Sequence, residues 1–115
     1  MDKLTQYRQA IKTLIKRHAA LKPHGYDVER QVLFDTEHDH YQLFNVGWNK
    51  TQRIHHCVMH FDLKDDKVWI QHNSTEVELD EELIDLGVAY EDIIIGFIPD
   101  YWREKEKINA DNPLK

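Results

Sequence analysis

The chain has 115 residues, 41% of them hydrophobic, and a formal net charge of −6 from 21 acidic and 15 basic residues. This length and composition predict a single domain, residues 1–115, that buries one core. The acidic balance argues against autonomous DNA binding, because DNA affinity comes mostly from Lys and Arg side chains, and it favours docking on a basic protein partner.

The single cysteine, Cys57, excludes an internal disulfide framework and suits the reducing cytoplasm. We expect it to be a buried, inert thiol on the apolar side of a strand. The sequence contains no run of 18 uncharged apolar residues, and its start has no basic segment followed by an apolar one. We therefore expect neither a membrane span nor an export signal. We expect the protein to be located in the cytoplasm.

Residues 2–20 are predicted to form an amphipathic helix with Asp2 as its N-cap, ended by Pro23 and Gly25. Apolar residues recur at three- and four-residue steps, which is the spacing of one helix face. The predicted buried stripe consists of Leu4, Tyr7, Ile11, Leu14, Ile15 and His18.

Four segments then alternate apolar and polar residues, as β-strands do, and polar residues typical of turns separate them. The pattern predicts an antiparallel β-meander with strands at about 26–35, 40–48, 53–64 and 67–72.

The Asp65-Asp66 pair predicts the register of the last hairpin. A two-residue loop there would pair Leu63 with Val68, Phe61 with Ile70 and Met59 with His72 on the core face. The same register would place Asp62 beside Trp69 and His60 beside Gln71 on a second face. We expect that face also to hold Val58, His56, Tyr41, Leu43 and Asn45, and we expect Trp48 to lie in the core.

A second, short helix is expected after the meander. Thr75 and Glu78 form a capping-box pattern ahead of an apolar stretch, and Gly87 suits the C-cap. A helical turn near 90–92, an apolar run at 93–97 and a loose tail at about 100–115 follow. The predicted class is α+β, with an antiparallel sheet covered by the N-terminal helix and the second helix.

The second face mixes residue types in a way that predicts a contact surface. A solvated face would not carry Trp, and a buried one would rarely carry unpaired Asp and His. We therefore predict an interaction face, used for self-association into a homodimer or larger homo-oligomer or for binding another protein. Its residues are His56, His60, Asp62, Trp69 and Gln71.

Eight histidines suggest metal binding, but their spacing argues against it. His56 and His60 would lie about 13 Å apart on one strand. His38 and His40 could approach one ion, yet no second pair completes a four-ligand set. We expect no metal and no cofactor.

An enzymatic alternative makes this chain a metal-dependent hydrolase or nuclease subunit. His60 would act as general base, with the carboxylates Asp35, Glu37 and Asp39 as metal ligands. Asp62 or Glu76 would orient His60, and Arg53 would clamp an anion. A possible polar constellation consists of Arg53, Thr75 and Glu76. We expect no catalytic residue, because His60 and Asp62 would lie about 7 Å apart along their strand and His60 would bond to Gln71 across it.

Several segments together resemble the XisI family, the fdxN element excision controlling factors of cyanobacteria. They are MDKLTQYR at the start, FDTEHDHYQLFNVGW at 34–48, Arg53, HFDLKDDKVWIQ at 60–71, Thr75-Glu76, Glu82-Leu83, Gly87-Val88 and DIIIGF at 92–97. The family's usual ending is only partly present, as Pro99 and Arg103.

The resemblance implies an accessory role in site-specific excision of a DNA element during heterocyst differentiation. In that role the protein would act with a recombinase and with XisH, a nuclease-like partner. The resemblance supplies no catalytic residue for this chain.

Overall fold

The computed structural model describes residues 2–21 and 27–101. Within these ranges the chain forms, in order, α1 (Lys3–Ala19), β1 (Asp27–Asp35), β2 (His40–Asn49), β3 (Gln52–Lys64), β4 (Lys67–Asn73), α2 (Leu79–Asp85), a 3₁₀ turn (Tyr90–Asp92) and β5 (Ile93–Ile95). The predicted α+β class is confirmed. Pro23, Gly25 and most of the predicted tail lie outside the described ranges. No described helix is long and apolar enough to cross a membrane.

The five strands form one sheet in the order β1-β2-β3-β4-β5. The first four are the predicted antiparallel meander. The fifth differs from the prediction, because β5 runs parallel to β4 and pairs Val68 with Ile93. Parallel neighbours need a crossover connection, and here α2 with the 3₁₀ turn supplies it.

Helix α1 begins where the sequence predicts. Asp2 is the N-cap, and its carboxylate accepts a hydrogen bond of 2.8 Å from the backbone N–H of Thr5. Leu4 packs at the margin of the core, and the buried stripe otherwise matches the prediction with one addition, Ala10. It consists of Tyr7, Ala10, Ile11, Leu14, Ile15 and His18.

Both helices pack on the same face of the sheet, and the core lies between. The hairpin at Asp65-Asp66 forms as predicted, with both residues at positive φ. Leu63 therefore pairs with Val68 and Phe61 with Ile70. The strand residues at the centre of the core are Tyr41, Leu43, Met59, Phe61, Val68 and Ile70.

The prediction of which β2 side chains face the core is wrong. Tyr41 and Leu43, expected on the second face, are fully buried because they pair with Phe61 and Met59. Trp48, expected in the core, is 47% exposed. Apolar residues occupy both alternating sets of β2, so hydropathy alone could not decide which set faces the helices.

Asn45 also lies on the helix-covered side. It accepts a hydrogen bond from Arg30, whose guanidinium donates to the carbonyl oxygen of His18 in α1 at 2.7 Å. This side chain bridge joins β1 and β2 to the C-terminal end of α1.

Two β-bulges shift the register and correct the predicted pairs. In β3 the extra residue is Val58, which is buried beside Met59. In β4 the extra residue is Gln71, so His60 pairs with His72 and Met59 with Asn73. A bulge places two residues opposite one and reverses the alternation beyond it, which a regular count along the sequence misses.

The predicted capping box at Thr75 does not form. The Thr75 hydroxyl donates to Asn73 at 2.6 Å and accepts from the Val77 N–H at 3.1 Å, and α2 begins after Glu78. The predicted end at Gly87 is confirmed. Its φ is 103°, and the Val88 N–H reaches the Leu83 carbonyl at 2.9 Å, which closes the helix as a Schellman motif.

One buried carboxylate joins the start of α1 to the start of β5. Asp92 accepts a hydrogen bond of 2.6 Å from the Tyr7 hydroxyl and an ion pair of 2.7 Å from Lys3. The Tyr7 hydroxyl in turn accepts the backbone N–H of Ala89 at 3.2 Å. The hydrogen bond from Lys3, followed by that from Tyr7, holds the pKa of Asp92 below its ordinary value of 3.8.

We expect Asp92→Asn to lower the free energy of unfolding by about 1–3 kcal/mol at pH 7, because a charged acceptor is lost beside Lys3 and Tyr7. A lowered folded pKa stabilises the protein above the unfolded pKa of 3.8 and ceases to do so as the pH falls through the folded value. The difference should therefore shrink at pH 3. Urea denaturation at both pH values measures it.

Glu91→Gln is the matched control, because Glu91 is exposed on the same 3₁₀ turn. It should leave stability unchanged. Equal stability of Asp92→Asn and the wild type at pH 7 would contradict the role of this carboxylate.

Candidate functional site on the outer sheet face

The face of the sheet opposite α1 and α2 is called the outer face here. Contacts between strands fix its members: the Phe44 and His55 rings lie 5.5 Å apart, and Gln42 contacts His60 at 3.3 Å. Residues paired across strands share a face, which extends the set. Its central members are His40, Gln42, Phe44, Trp48, Arg53, His55, His60, Asp62, Trp69 and Gln71.

A polar cluster occupies the middle of this face, and we name it the Asp62 cluster. His40 Nδ1 and His60 Nε2 each lie 2.7 Å from Asp62 Oδ1. Gln71 donates to Asp62 Oδ2 at 3.1 Å, and Gln42 lies against His60 Nδ1. These five side chains form one connected hydrogen-bond network.

Strand pairing and the two bulges bring the cluster together. His40 pairs with Asp62 and Gln42 with His60 because Val58 shifts the β2–β3 register by one residue. Gln71 is the extra residue of the β4 bulge, and from there its amide reaches Asp62. The side chains are thus held by rigid sheet rather than by loops.

Hydrogen bonds within the cluster stabilise the charged forms of Asp62 and His40. Burial raises the pKa of Asp62, but the hydrogen bonds from His40 and His60 outweigh it and keep the pKa below its ordinary value. The hydrogen bond to Asp62 is the main cause that raises the pKa of His40 above its ordinary 6.5. The arrangement therefore favours an ionised Asp62 beside a protonated His40.

Tryptophans flank the cluster on two sides. The Lys64 ammonium lies 4.2 Å from the Trp69 ring centre, and the Arg53 guanidinium lies 5.1 Å from the Trp48 ring centre. The Trp69 indole N–H also donates to the Lys64 carbonyl oxygen at 3.3 Å. The outer face thus combines charged, polar and aromatic groups.

The structure brings together four of the five residues of the predicted interaction face: His60, Asp62, Trp69 and Gln71. His56 does not join them. It pairs with Asn45, whose side chain lies on the helix-covered side. The bulge at Val58 explains the error, because residues 56 and 60 no longer share a face across it.

His60 and Asp62 also differ from their predicted geometry. They were expected to be too far apart for contact, yet their side chains lean together and bond at 2.7 Å. The predicted bond from His60 to Gln71 is absent from the described contacts, since Gln71 binds Asp62 instead. Sequence analysis considered His40 only beside His38 as a metal ligand, and it missed Gln42, which no local motif marks.

The possible polar constellation of Arg53, Thr75 and Glu76 is dispersed. Arg53 pairs with Trp48 near the start of β3, whereas Thr75 bonds to Asn73, which pairs with Met59. Residues 53 and 59 are separated by about 20 Å at roughly 3.3 Å per residue. Glu76 is exposed in the loop before α2.

The carboxylates of the hydrolase alternative are divided as well. Asp35 pairs with His40 and, with His60, lines an open cavity of about 530 Å³. Asp39 instead binds Arg8 through two hydrogen bonds, of 2.8 and 3.1 Å, and Glu37 is exposed in the turn. The carboxylate that contacts His60 is Asp62.

We expect Asp62→Asn to lower the pKa of His40 toward its ordinary 6.5, because the substitution removes the main cause of its elevation. An NMR titration of the imidazole carbon-bound protons measures this value. Asp66→Asn, which changes a carboxylate in the β3–β4 loop, is the control and should leave the titration of His40 in place. An unchanged His40 pKa in Asp62→Asn would contradict the pairing.

Comparison with known proteins places this chain in a family. Residues 1–109 match the model of the family described as XisI protein. No curated protein matches the chain at a significant level.

Two solved structures, both of proteins from Anabaena variabilis ATCC 29413, are similar to this fold. A XisI-like protein is 43% identical with a TM-score of 0.83, over 89% of this chain and 94% of that one. The fdxN element excision controlling factor XisI is 30% identical with a TM-score of 0.76, over 89% of this chain and 99% of that one. The chain therefore belongs to the XisI family.

Proposed function

We propose that this protein is a non-enzymatic accessory factor that controls excision of a DNA element through protein contacts. Its outer face binds a XisH-like protein, and the recombinase system acts downstream of that complex. The protein would work in the cytoplasm, where Cys57 stays reduced. A solved relative, 30% identical, is described as an fdxN element excision controlling factor, which supports this role.

The observation that carries the proposal is the composition of the outer face. Both helices lie on the other side of the sheet, and the outer face presents Trp48 at 47% exposure and Leu33 at 49%. Aromatic anchors beside satisfied polar groups are typical of protein interfaces, where Trp and Arg contribute most of the binding energy. Trp48 with Arg53, and Trp69 with Lys64, are such pairs.

The net charge supports a protein partner over DNA. A charge of −6 repels phosphate backbones, and the same charge increases the association rate with a basic protein. Control of excision by this chain is therefore better explained by contacts with a DNA-acting protein than by its own DNA contacts.

The divided carboxylates favour this proposal over the hydrolase alternative. Asp39 is held by Arg8 and by the Tyr41 hydroxyl at 2.7 Å, so its oxygens face the helix side and not His60. A catalytic pair needs its groups within hydrogen-bond reach of the reacting atoms.

Co-expression with a XisH-like protein, followed by pull-down and size-exclusion light scattering, tests the proposal. We expect a stable complex with the wild type. Trp48→Glu and Trp69→Glu should each weaken it at least about 10-fold, because a charge replaces an aromatic anchor of the interface. Circular dichroism verifies that each variant is folded.

Ile84→Glu is the matched control. Ile84 is 40% exposed on α2, on the far side of the sheet, so this variant should bind like the wild type. Absence of a complex with the wild type, or full binding by both tryptophan variants, would overturn the proposal. A homodimer that dissociates in the tryptophan variants and ignores the XisH-like protein would assign the outer face to self-association instead.

A further inference from the structure

We propose that His40, His60 and Asp62 bind one divalent transition-metal ion of the Zn²⁺ class at the centre of the outer face. The inference goes beyond the proposed function, and its test requires no partner protein. It revises the expectation from the sequence that no metal is bound.

The geometry of the ligand atoms carries the proposal. One nitrogen from each imidazole and one oxygen of Asp62 lie within 4.8 Å of one another. Zn²⁺ binds nitrogen and oxygen at about 2.0–2.2 Å, which places ligand atoms about 3.3 Å apart in a tetrahedral site. Asp62 Oδ1 now lies 2.7 Å from one nitrogen of each histidine. Each of these two distances needs to lengthen by only about half an ångström for one ion to bind all three atoms.

The chemistry of the ligands selects the class of ion. Two imidazoles with one carboxylate suit Zn²⁺ and its neighbours in the first transition row, whereas Mg²⁺ and Ca²⁺ prefer sites made only of oxygen. Three protein ligands leave a fourth position for water. Space for it exists in the open cavity that His40 and His60 line with Asp35.

The surrounding residues already orient the ligands. Gln71 donates to Asp62 Oδ2, the oxygen that does not face the histidines. The Gln42 amide nitrogen lies against His60 Nδ1, and Nε2 of that ring is directed at Asp62. When Nε2 binds an ion, Nδ1 carries the ring proton, and a flip of the Gln42 amide presents its oxygen as the acceptor. Outer partners of this kind fix the ring orientation in protein metal sites, where their removal weakens metal affinity about 10- to 100-fold.

The backbone fixes the spacing of the site. All three ligands lie on paired strands, with His40 directly opposite Asp62 and His60 two residues before it. The site is also accessible, because the His40 side chain is 53% exposed while Asp62 is only 15% exposed. An ion can therefore enter from solvent onto a preformed set of ligands.

Isothermal titration of the metal-free full-length chain with Zn²⁺ tests the inference. We expect one ion to bind per chain. His40→Ala should weaken its binding at least about 10-fold, because removing a ligand lowers metal affinity by more than removing a residue that only orients a ligand. His40 is exposed, so this variant should fold. Co²⁺ as a second probe should give the visible absorption of a tetrahedral site in the wild type and not in His40→Ala.

His38→Ala and His56→Ala are the controls. His38 lies 2.9 Å from Asp35, which makes that pair the nearest competing site, and His56 lies on the helix-covered side. Both variants should bind Zn²⁺ within about twofold of the wild type, well below the 10-fold loss of a true ligand. No binding by the wild type, equal binding by His40→Ala, or an equal loss in His38→Ala would overturn the inference.

Discussion

The packing of α1 and α2 on one face of the sheet is the constraint on which the rest of the structure depends. It buries Tyr41, Leu43, Met59 and Phe61 in a single layer of core. Hydrogen bonds hold both halves of α1 to the sheet, from Arg8 to Asp39 in the first half and from Arg30 to the carbonyl oxygen of His18 at the C-terminal end. Because neither helix covers the outer face, its aromatic and polar side chains are left uncovered by α1 and α2.

The two bulges decide the chemistry of the outer face. Each inserts one residue, Val58 in β3 and Gln71 in β4. Each thereby changes the face of the sheet toward which the neighbouring side chains point. The first bulge sets His40 opposite Asp62, and the second directs the Gln71 amide at the same carboxylate. Without the first bulge, the register set by Asn49 and Gln52 would place His40 opposite Phe61 and not opposite Asp62.

The proposed partner binding and the proposed metal binding concern the same surface but would use different residues of it. The tryptophans supply apolar contact area at the flanks, and the Asp62 cluster supplies directional polar groups at the centre. In protein interfaces such groups contribute more to specificity than to affinity. A metal ion at the centre would change the charge of the face without moving the anchors.

The sequence by itself determined the parts of this protein that depend on neighbouring residues. The α1 stripe, the Asp2 cap, the Asp65-Asp66 hairpin and the Gly87 C-cap follow from local periodicity and turn chemistry. Family membership was also readable, because it rests on segments of sequence. Only the tertiary structure decided which set of β2 residues faces the helices, where the bulges lie, and that β5 runs parallel to β4. Each of these depends on contacts between distant residues: His40 joins Asp62 through a shift at Val58, which no local pattern records.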